Sequence, residues 1–132
     1  MITPHPCQFC SLYPSRIILS NYHAMAIYDA FPISPGHTLV ISKRHIVSLF
    51  EANKEEREAI FDLLEQVKLD LMRKYTPDGF NIGINDGVAA GQTINHLHIH
   101  LIPRYAGDIE EPRGGVRWIF PKKAAYWNIS DT

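Results

Sequence analysis

The chain has 132 residues, enough for one substantial core and too few for two ordinary domains, so we expect a single domain over residues 1–132. Its 45% hydrophobic and 20% charged residues are typical of soluble globular proteins, and no apolar run is long enough to cross a membrane. The net charge of −1 argues against general nucleic-acid binding, and residues 1–10 show no secretory signal, so we expect a cytoplasmic protein without membrane or nucleic-acid partners.

The first half of the chain predicts a hairpin, a third strand and a long helix. Two apolar, partly β-branched segments at 16–19 and 24–28 predict the hairpin. A loop with two prolines and a glycine at 31–36 separates it from a predicted strand at 37–42. Asn53 and Glu56 match a capping box, and apolar residues then recur at helical spacing to about Tyr75. We therefore expect one long amphipathic helix.

The second half predicts two more strands and an extension. Residues 76–79 end the helix, and strands are expected at 80–84 and 96–102, joined by a glycine-bearing loop. Residues 103–132 show no clear periodicity, but their two tryptophans favour a packed C-terminal extension over disorder. Strands on both sides of one helix predict an α+β fold, an antiparallel sheet of about five strands with one long helix.

Three histidines alternate with apolar residues in the last predicted strand. Because strand side chains alternate, His96, His98 and His100 are expected on one face. A strand that only uses histidine as its polar residue would look the same, but three regular repeats favour a functional site. Neutral imidazole already carries a nitrogen lone pair, so it can attack phosphorus without an activating base.

The loop before this strand can bind an anion. The glycines of residues 85–93 let backbone N–H groups approach a phosphate, and Gln92 and Thr93 add side-chain donors. Alone, such a loop is also typical of an ordinary turn. Beside three histidines on one face, it predicts a phosphate cradle.

Cys7 and Cys10 form a C-x-x-C pair near the N-terminus. In a reducing compartment this spacing indicates a metal or redox site more than a structural disulfide. The seven histidines of the chain favour a metal, and the lack of a βαβ pattern disfavours a redox pair. Two free thiols are the remaining alternative.

Two segments resemble the HIT (histidine triad) superfamily. GQTINHLHIHLIPR, residues 91–104, is similar to its histidine triad motif, and YDAFPISPGHTLVISKRH, which ends at His45, is similar to its acidic residue, proline-bearing loop and histidine-opened strand. The resemblance covers about residues 7–105 and implies a HIT-like fold with residues 106–132 as an extension. Gln92 and the Pro103-Arg104 ending resemble the fragile-histidine-triad branch, and the Cys7 and Cys10 pair resembles that of the bacterial zinc-containing HIT hydrolases.

The resemblance implies a role for each matching residue. The middle histidine of the triad, His98, would attack the α-phosphate of a nucleotide and form a nucleotidyl-histidine intermediate. His100 and His37 match histidines that contact phosphate oxygens, and Asp29 matches the residue that binds the ribose hydroxyls. The phosphate loop would use Asn85, Gly91, Gln92 and Thr93, the nucleobase pocket Ile17, Ile18 and Ile27, and a structural zinc Cys7, Cys10, His45 and His96.

The resemblance also implies an activity and an assembly. We expect a homodimeric enzyme that binds purine nucleotides and hydrolyses dinucleoside polyphosphates or related nucleotide conjugates. A nucleoside phosphoramidase would share the first step and differ in its leaving group. A phosphorylase or nucleotidyltransferase would use another acceptor than water, although the classical transferases carry His-Pro-His-Gln. A nucleotide-binding interaction module with little turnover is the non-enzymatic alternative.

Overall fold

The computed structural model describes residues 6–128. Its strands and helices are β1 (Ile17–Ser20), β2 (Ala24–Tyr28), β3 (Thr38–Ser42), α1 (Lys54–Tyr75), β4 (Gly79–Gly83), β5 (His98–Arg104) and α2 (Pro121–Ala124). The strands form one antiparallel sheet in the order β1-β2-β3-β5-β4. The predicted α+β fold with five strands and one long helix is confirmed.

The two faces of the sheet pack against different partners. Helix α1 covers one face, where its apolar residues meet side chains such as Val40, Ile99 and Leu101. On the opposite face Leu39 pairs with His100 and Ile41 with His98, so both histidines share a face with these apolar residues. The helix therefore supports the sheet from behind, and the histidines project from the other side.

Helix α1 begins at the predicted capping box. The Glu56 backbone N–H donates to Asn53 Oδ1 at 2.8 Å, and the Asn53 backbone N–H donates to Glu56 Oε1 at 3.0 Å. The apolar residues that repeat at helical spacing are all buried: Ile60, Leu63, Leu64, Val67 and Leu71. The helix ends at Thr76, which adopts a left-handed conformation with φ of 49° and directs the chain towards β4.

The last strand starts later than predicted. It begins at His98 and not at His96, because the Leu97 N–H donates to the carbonyl of Ile46 at 2.7 Å and not to a strand of the sheet. His96 therefore lies in a connecting segment, and only His98 and His100 belong to the strand.

The C-terminal residues fold back beside β4 as short helical turns. These are 3₁₀ turns at Gly115–Ile119 and Tyr126–Asn128 on either side of α2. The indole N–H of Trp118 donates to the carbonyl of Arg113 at 2.8 Å. Within residues 6–128, no helix combines the length and apolar character that a bilayer span requires.

Candidate functional site

His98 opens β5 with its imidazole in a defined tautomer. Its Nδ1–H donates to the backbone carbonyl of His96 at 2.7 Å. Because a neutral imidazole has one donor and one acceptor nitrogen, Nε2 carries the lone pair. The residue is 9% exposed. The nitrogen that can attack a substrate is therefore Nε2.

His37 and His100 form a directed chain of hydrogen bonds. The backbone N–H of Ile33 donates to His37 Nδ1 at 3.2 Å, so the proton of His37 must lie on Nε2. His37 Nε2 is 2.9 Å from His100 Nδ1, to which it donates. His100 consequently keeps its own proton on Nε2. The chain ends in a single outward hydrogen-bond donor beside His98.

Both histidines of this chain are shifted towards their neutral forms. Burial lowers the pKa of His37, although the nearby Asp29 carboxylate acts in the opposite direction. Burial also lowers the pKa of His100, helped by the neighbouring imidazoles of His98 and His37. Near neutral pH both rings are therefore uncharged, as the hydrogen-bond chain requires.

Asp29 lies beside these two histidines at the end of β2. Its Oδ2 is 3.4 Å from His37 Nε2 and 3.9 Å from His100 Nδ1. Its Oδ1 accepts from the backbone N–H of Phe31 at 2.8 Å. The three side chains have the composition of a cation site, but both Nδ1 lone pairs already accept hydrogen bonds in the chain described above. A cation bound at either Nδ1 would have to break this chain.

In the predicted phosphate loop, the side chain of Gln92 binds backbone groups of the protein. Gln92 is buried; its Oε1 accepts from Gly87 N–H at 2.8 Å, and its Nε2 donates to the carbonyls of Val47 and Ile94. Its amide is occupied by backbone groups, so the structure does not support the prediction that Gln92 donates to a phosphate. Asn85, Gly91 and Thr93 are exposed. Gln92 instead ties the loop to the segment after β3.

The three isoleucines predicted for a nucleobase pocket are not brought together. Ile17 and Ile27 pack on the histidine face, but Ile27 is fully buried in the core. Ile18 packs on the opposite face against the core under α1, and the register of β1 is irregular between Ile17 and Leu19. The prediction for Ile18 is therefore not supported, and Ile17 is the residue of the three that is both on the correct face and partly exposed.

The four predicted metal ligands lie together. One ligand atom from each of Cys7, Cys10, His45 and His96 lies within 4.8 Å of the others. His96 Nδ1 is 3.4 Å from both sulfurs and 3.2 Å from His45 Nδ1, and Cys10 Sγ is 3.1 Å from His45 Nδ1. Tetrahedral zinc with usual bond lengths needs about 3.6 Å between S and N and about 3.3 Å between N and N. The observed spacing fits such an ion.

The orientation of His96 also suits a metal ligand. Its Nε2–H donates to the carbonyl of Ser42 at 2.7 Å, which leaves the Nδ1 lone pair directed at the cluster. Among the protein groups alone, burial and the Cys7 thiol raise the pKa of Cys10 to about 11, which a cation would oppose. Because His96 lies before β5, its ligand atom can turn away from His98. The cluster borders the histidine site without entering it.

Phe9, between the two cysteines, is a contact that the sequence analysis missed. The side chain is 3% exposed and meets the imidazole of His98 edge to face, with ring centroids 5.2 Å apart. It meets His96 in the same way at 5.9 Å. An apolar residue inside an otherwise polar C-x-x-C turn was the signal that could have indicated burial.

A cavity of about 820 Å³ adjoins His100. Its lining includes Asp29, His37 and His100 and, from the C-terminal segment, Trp118 and Ile119. His98 is not part of its lining. The extension, which had no assigned role, thus forms part of the surroundings of the histidine pair.

The fold and the row of histidines define a histidine triad protein, and comparisons with known proteins agree. The HIT domain family matches residues 12–107. An uncharacterized HIT-like protein of Mycoplasma genitalium is 39% identical over 107 residues, covering 78% of this chain and 76% of the relative. The asymmetrical bis(5'-nucleosyl)-tetraphosphatase of Schizosaccharomyces pombe is 35% identical over 97 residues, covering 74% of this chain and 53% of the relative.

A solved structure extends the comparison. The crystal structure of a zinc-bound histidine triad family protein from Mycobacterium smegmatis matches with a TM-score of 0.71 and 35% identity over 78% of each chain. This chain belongs to the HIT family.

Proposed function

We propose that the protein is a nucleotide hydrolase that acts on dinucleoside polyphosphates or related nucleotide conjugates through His98. The observation that carries this proposal is the pairing of tautomers. His98 keeps its proton on Nδ1, where it is hydrogen-bonded to the His96 carbonyl, so its lone pair is on Nε2. His100, whose ring centroid is 5.4 Å from that of His98, keeps its proton on Nε2 and can donate it in a hydrogen bond. A nucleophile and a donor for a phosphate oxygen lie side by side.

The first step is attack at the α-phosphorus. The His98 Nε2 lone pair forms a bond to phosphorus while the bond from phosphorus to the leaving group breaks, and the leaving oxygen takes the electron pair. The imidazole becomes positively charged, and its Nδ1–H bond to the His96 carbonyl then stabilises the charge. His100 donates to an oxygen of the phosphate that gains negative charge in the transition state.

The second step releases the nucleotide. Water attacks the same phosphorus, the phosphorus–nitrogen bond breaks with its electron pair returning to Nε2, and the proton of the water passes to solvent. His98 is restored to its original tautomer. The S. pombe relative, a bis(5'-nucleosyl)-tetraphosphatase, supports a substrate of this class.

Other residues of the site would hold the substrate. We propose that Asn85, Thr93 and the backbone at Gly91 bind non-bridging phosphate oxygens, since all three are exposed on the loop that precedes the triad. Asp29, whose side chain is 16% exposed, would accept hydrogen bonds from ribose hydroxyls. Ile17 would contact a purine base. Gln92 supports this loop from behind.

We propose that zinc occupies the cluster of Cys7, Cys10, His45 and His96. The four-ligand set, its tetrahedral spacing and the zinc-bound M. smegmatis relative support this proposal. Such an ion would cross-link residues 7–10 to the segments around β3 and β5 and would take no part at the phosphate. Elemental analysis tests it: we expect one zinc per chain, and substantially less, with a lower melting temperature, in Cys7→Ser/Cys10→Ser. Wild-type protein without zinc, purified without chelator, would contradict the proposal.

Turnover is tested with a panel of substrates. Purified protein is assayed with dinucleoside polyphosphates and adenosine phosphoramidate, in water and with inorganic phosphate as acceptor. We expect hydrolysis of the dinucleoside polyphosphate to be fastest. Preferred cleavage of the phosphoramidate would instead indicate a phosphoramidase, and release of a nucleoside diphosphate only with phosphate present would indicate a phosphorylase.

The nucleophile is tested by substitution and trapping. His98→Ala is expected to lower kcat at least about 10³-fold while nucleotide binding persists, since few binding contacts are lost. A labelled substrate quenched in alkali should leave its nucleotidyl group on His98. His23→Ala, outside the site, is the matched control and should keep activity. Label on another residue, or full activity of His98→Ala, would refute the mechanism.

We also propose a cytoplasmic, single-domain homodimer. Strand β4 is the last strand of the sheet order, and Ile82 on it is 49% exposed. Exposed Val116 and Ile119 lie on the C-terminal turn beside it. Light scattering measures the oligomeric state: we expect a dimeric wild type and a weakened dimer in Ile82→Glu. A monomeric wild type would exclude the dimer.

A further inference from the structure

We propose that Phe9 is a positioning residue that couples the cysteine–histidine cluster to His98. The Cys10 N–H donates to the carbonyl of Cys7 at 3.1 Å, which closes a tight turn around the two residues between the cysteines. Gln8 is exposed on this turn, and Phe9 points inward with 3% of its surface exposed. The turn that carries two cluster ligands therefore also places an aromatic ring in the site.

Phe9 and His100 both contact the imidazole of His98. The Phe9 ring meets the His98 imidazole at 5.2 Å between centroids with an interplanar angle of 72°. His100 meets the same imidazole at 5.4 Å and 66°. The hydrogen bond from Nδ1 to the His96 carbonyl provides a third restraint. The nucleophilic ring is held by two neighbouring rings and one backbone atom.

Phe9 also belongs to a buried apolar cluster on this face of the sheet, with Met25, Ile27, Leu39 and Ile41. These side chains carry no aromatic ring that could contact the His98 imidazole edge to face. If the Phe9 ring is removed, His98 gains room to tilt about its single hydrogen bond. In-line attack needs reacting atoms at about 3 to 3.5 Å with aligned orbitals, and a displacement of about 1 Å can cost about 10²-fold in rate. A loss at Phe9 should thus appear in the chemical step.

Phe9 also contacts His96, one of the cluster residues, at 5.9 Å. The ring therefore joins the cluster to the nucleophile through direct contact, and not only through the two-residue backbone link between the histidines. Loosening the cluster at Cys10 should withdraw the ring from His98. The effect of the cluster on His98 would then pass largely through Phe9.

The test compares Phe9→Leu with Met25→Leu, a volume-conserving change in the same apolar group. The kinetic part rests on the function proposed above. Phe9→Leu should lower kcat and the single-turnover rate of adduct formation about 10- to 100-fold, with the dissociation constant for AMP within twofold and the zinc content unchanged. Met25→Leu should keep wild-type kcat. If Phe9→Leu does not fold, Phe9→Met retains bulk without the ring.

A double-mutant cycle with Cys10→Ser tests the coupling. If the cluster acts through Phe9, the double variant Phe9→Leu/Cys10→Ser should have a kcat less than threefold below that of Cys10→Ser alone. If the fold-decrease in kcat of the double variant equals the product of the two single-variant decreases, the coupling is overturned. Values of kcat within twofold of wild type in Phe9→Leu, or a loss of AMP affinity as large as the loss of kcat, would overturn the positioning role.

One measurement does not require turnover. Nitrogen-15 NMR of the imidazoles reports the tautomer and the Nδ1–H hydrogen bond of His98 in the protein without substrate. Phe9→Leu should broaden or average the His98 signals, whereas Met25→Leu should not. If the wild type cleaves none of the substrates tested, this result still decides whether Phe9 positions His98.

Discussion

Glu56 joins the start of helix α1 to the segment that carries His45, and its removal has a predictable cost. Arg44 donates from Nε to Glu56 Oε2 at 2.9 Å and from Nη2 to Glu56 Oε1 at 2.7 Å. The Glu56 side chain is 3% exposed, and it also accepts the Asn53 N–H in the capping box. We predict that Glu56→Gln destabilises the fold and loosens the residue after Arg44, the cluster residue His45.

The magnitude follows from the pKa of Glu56. The hydrogen bonds from Arg44, followed by the backbone of Asn53, lower this pKa from 4.5 to about 2. At about 1.4 kcal/mol per pKa unit, the difference corresponds to about 3 kcal/mol of folding free energy. Arg44 is 55% exposed, so solvent screens the pair, and about 2 kcal/mol is the expected loss.

The direction of the pKa shift determines how the stabilisation by Glu56 changes with pH. A carboxylate with a lowered folded pKa stabilises the protein fully above its unfolded pKa of 4.5 and loses this contribution as the pH falls towards about 2. Urea unfolding of the wild type and Glu56→Gln should therefore differ by about 2 kcal/mol at pH 7, and the difference should shrink as the pH falls below 4.5 and vanish near pH 2. Glu55→Gln, exposed on the same helical turn, is the control and should stay within about 0.5 kcal/mol of the wild type. An equal difference at pH 7 and pH 3 would refute the reasoning.

Three further predictions concern the site. Asp29→Asn should weaken binding of ribonucleotides more than of 2′-deoxyribonucleotides, measured by calorimetry, and equal weakening would remove Asp29 from the sugar site. Gln92→Ala should cost about 1 to 3 kcal/mol in urea unfolding and raise KM, because it leaves the Gly87 N–H and two carbonyls unpaired; unchanged values of both would contradict its role in the loop. Burial lowers the pKa of His37 and His100, so their NMR titration midpoints should lie below 6.5. Because the unfolded chain then takes up protons more readily than the folded one, the free energy of unfolding should decrease as the pH falls below 6.5. Midpoints above 6.5 would show that Asp29 outweighs burial.

The sheet and the helix could be predicted from the sequence because each depends on a repeating or local pattern, whereas the grouping of the cluster residues came from the family resemblance. The apolar repeat from Ile60 to Leu71 has one physical solution, a helix with one buried face. The spacing of Cys7 and Cys10 indicated a metal site, the HIT resemblance added His45 and His96, and the structure brings these four residues together. Local patterns therefore gave a correct outline of the fold.

The errors arose where tertiary contacts decide the geometry. The period-two pattern around His96 does not reveal that Leu97 bonds to Ile46 and so delays the start of β5. Ile17 and Ile18 are neighbours in β1 and lie on opposite faces, as strand alternation requires, so the two could not line one pocket. Gln92 is the buried polar side chain of the phosphate loop, and composition alone does not show this.

The orientation of the reactive imidazoles depends on backbone atoms, and this explains why side-chain patterns could not reveal it. The His96 carbonyl sets the tautomer of His98, and the Ile33 N–H sets that of His37 and, through it, of His100. A backbone atom is present whatever side chain occupies its position, so the two histidines most concerned with chemistry are oriented by groups that leave no mark in the sequence. The structure of the loop before β3 and of the segment before β5 must hold these atoms in place. Changes that move those backbones, rather than changes that remove a polar side chain, should therefore alter which nitrogen attacks and which one donates.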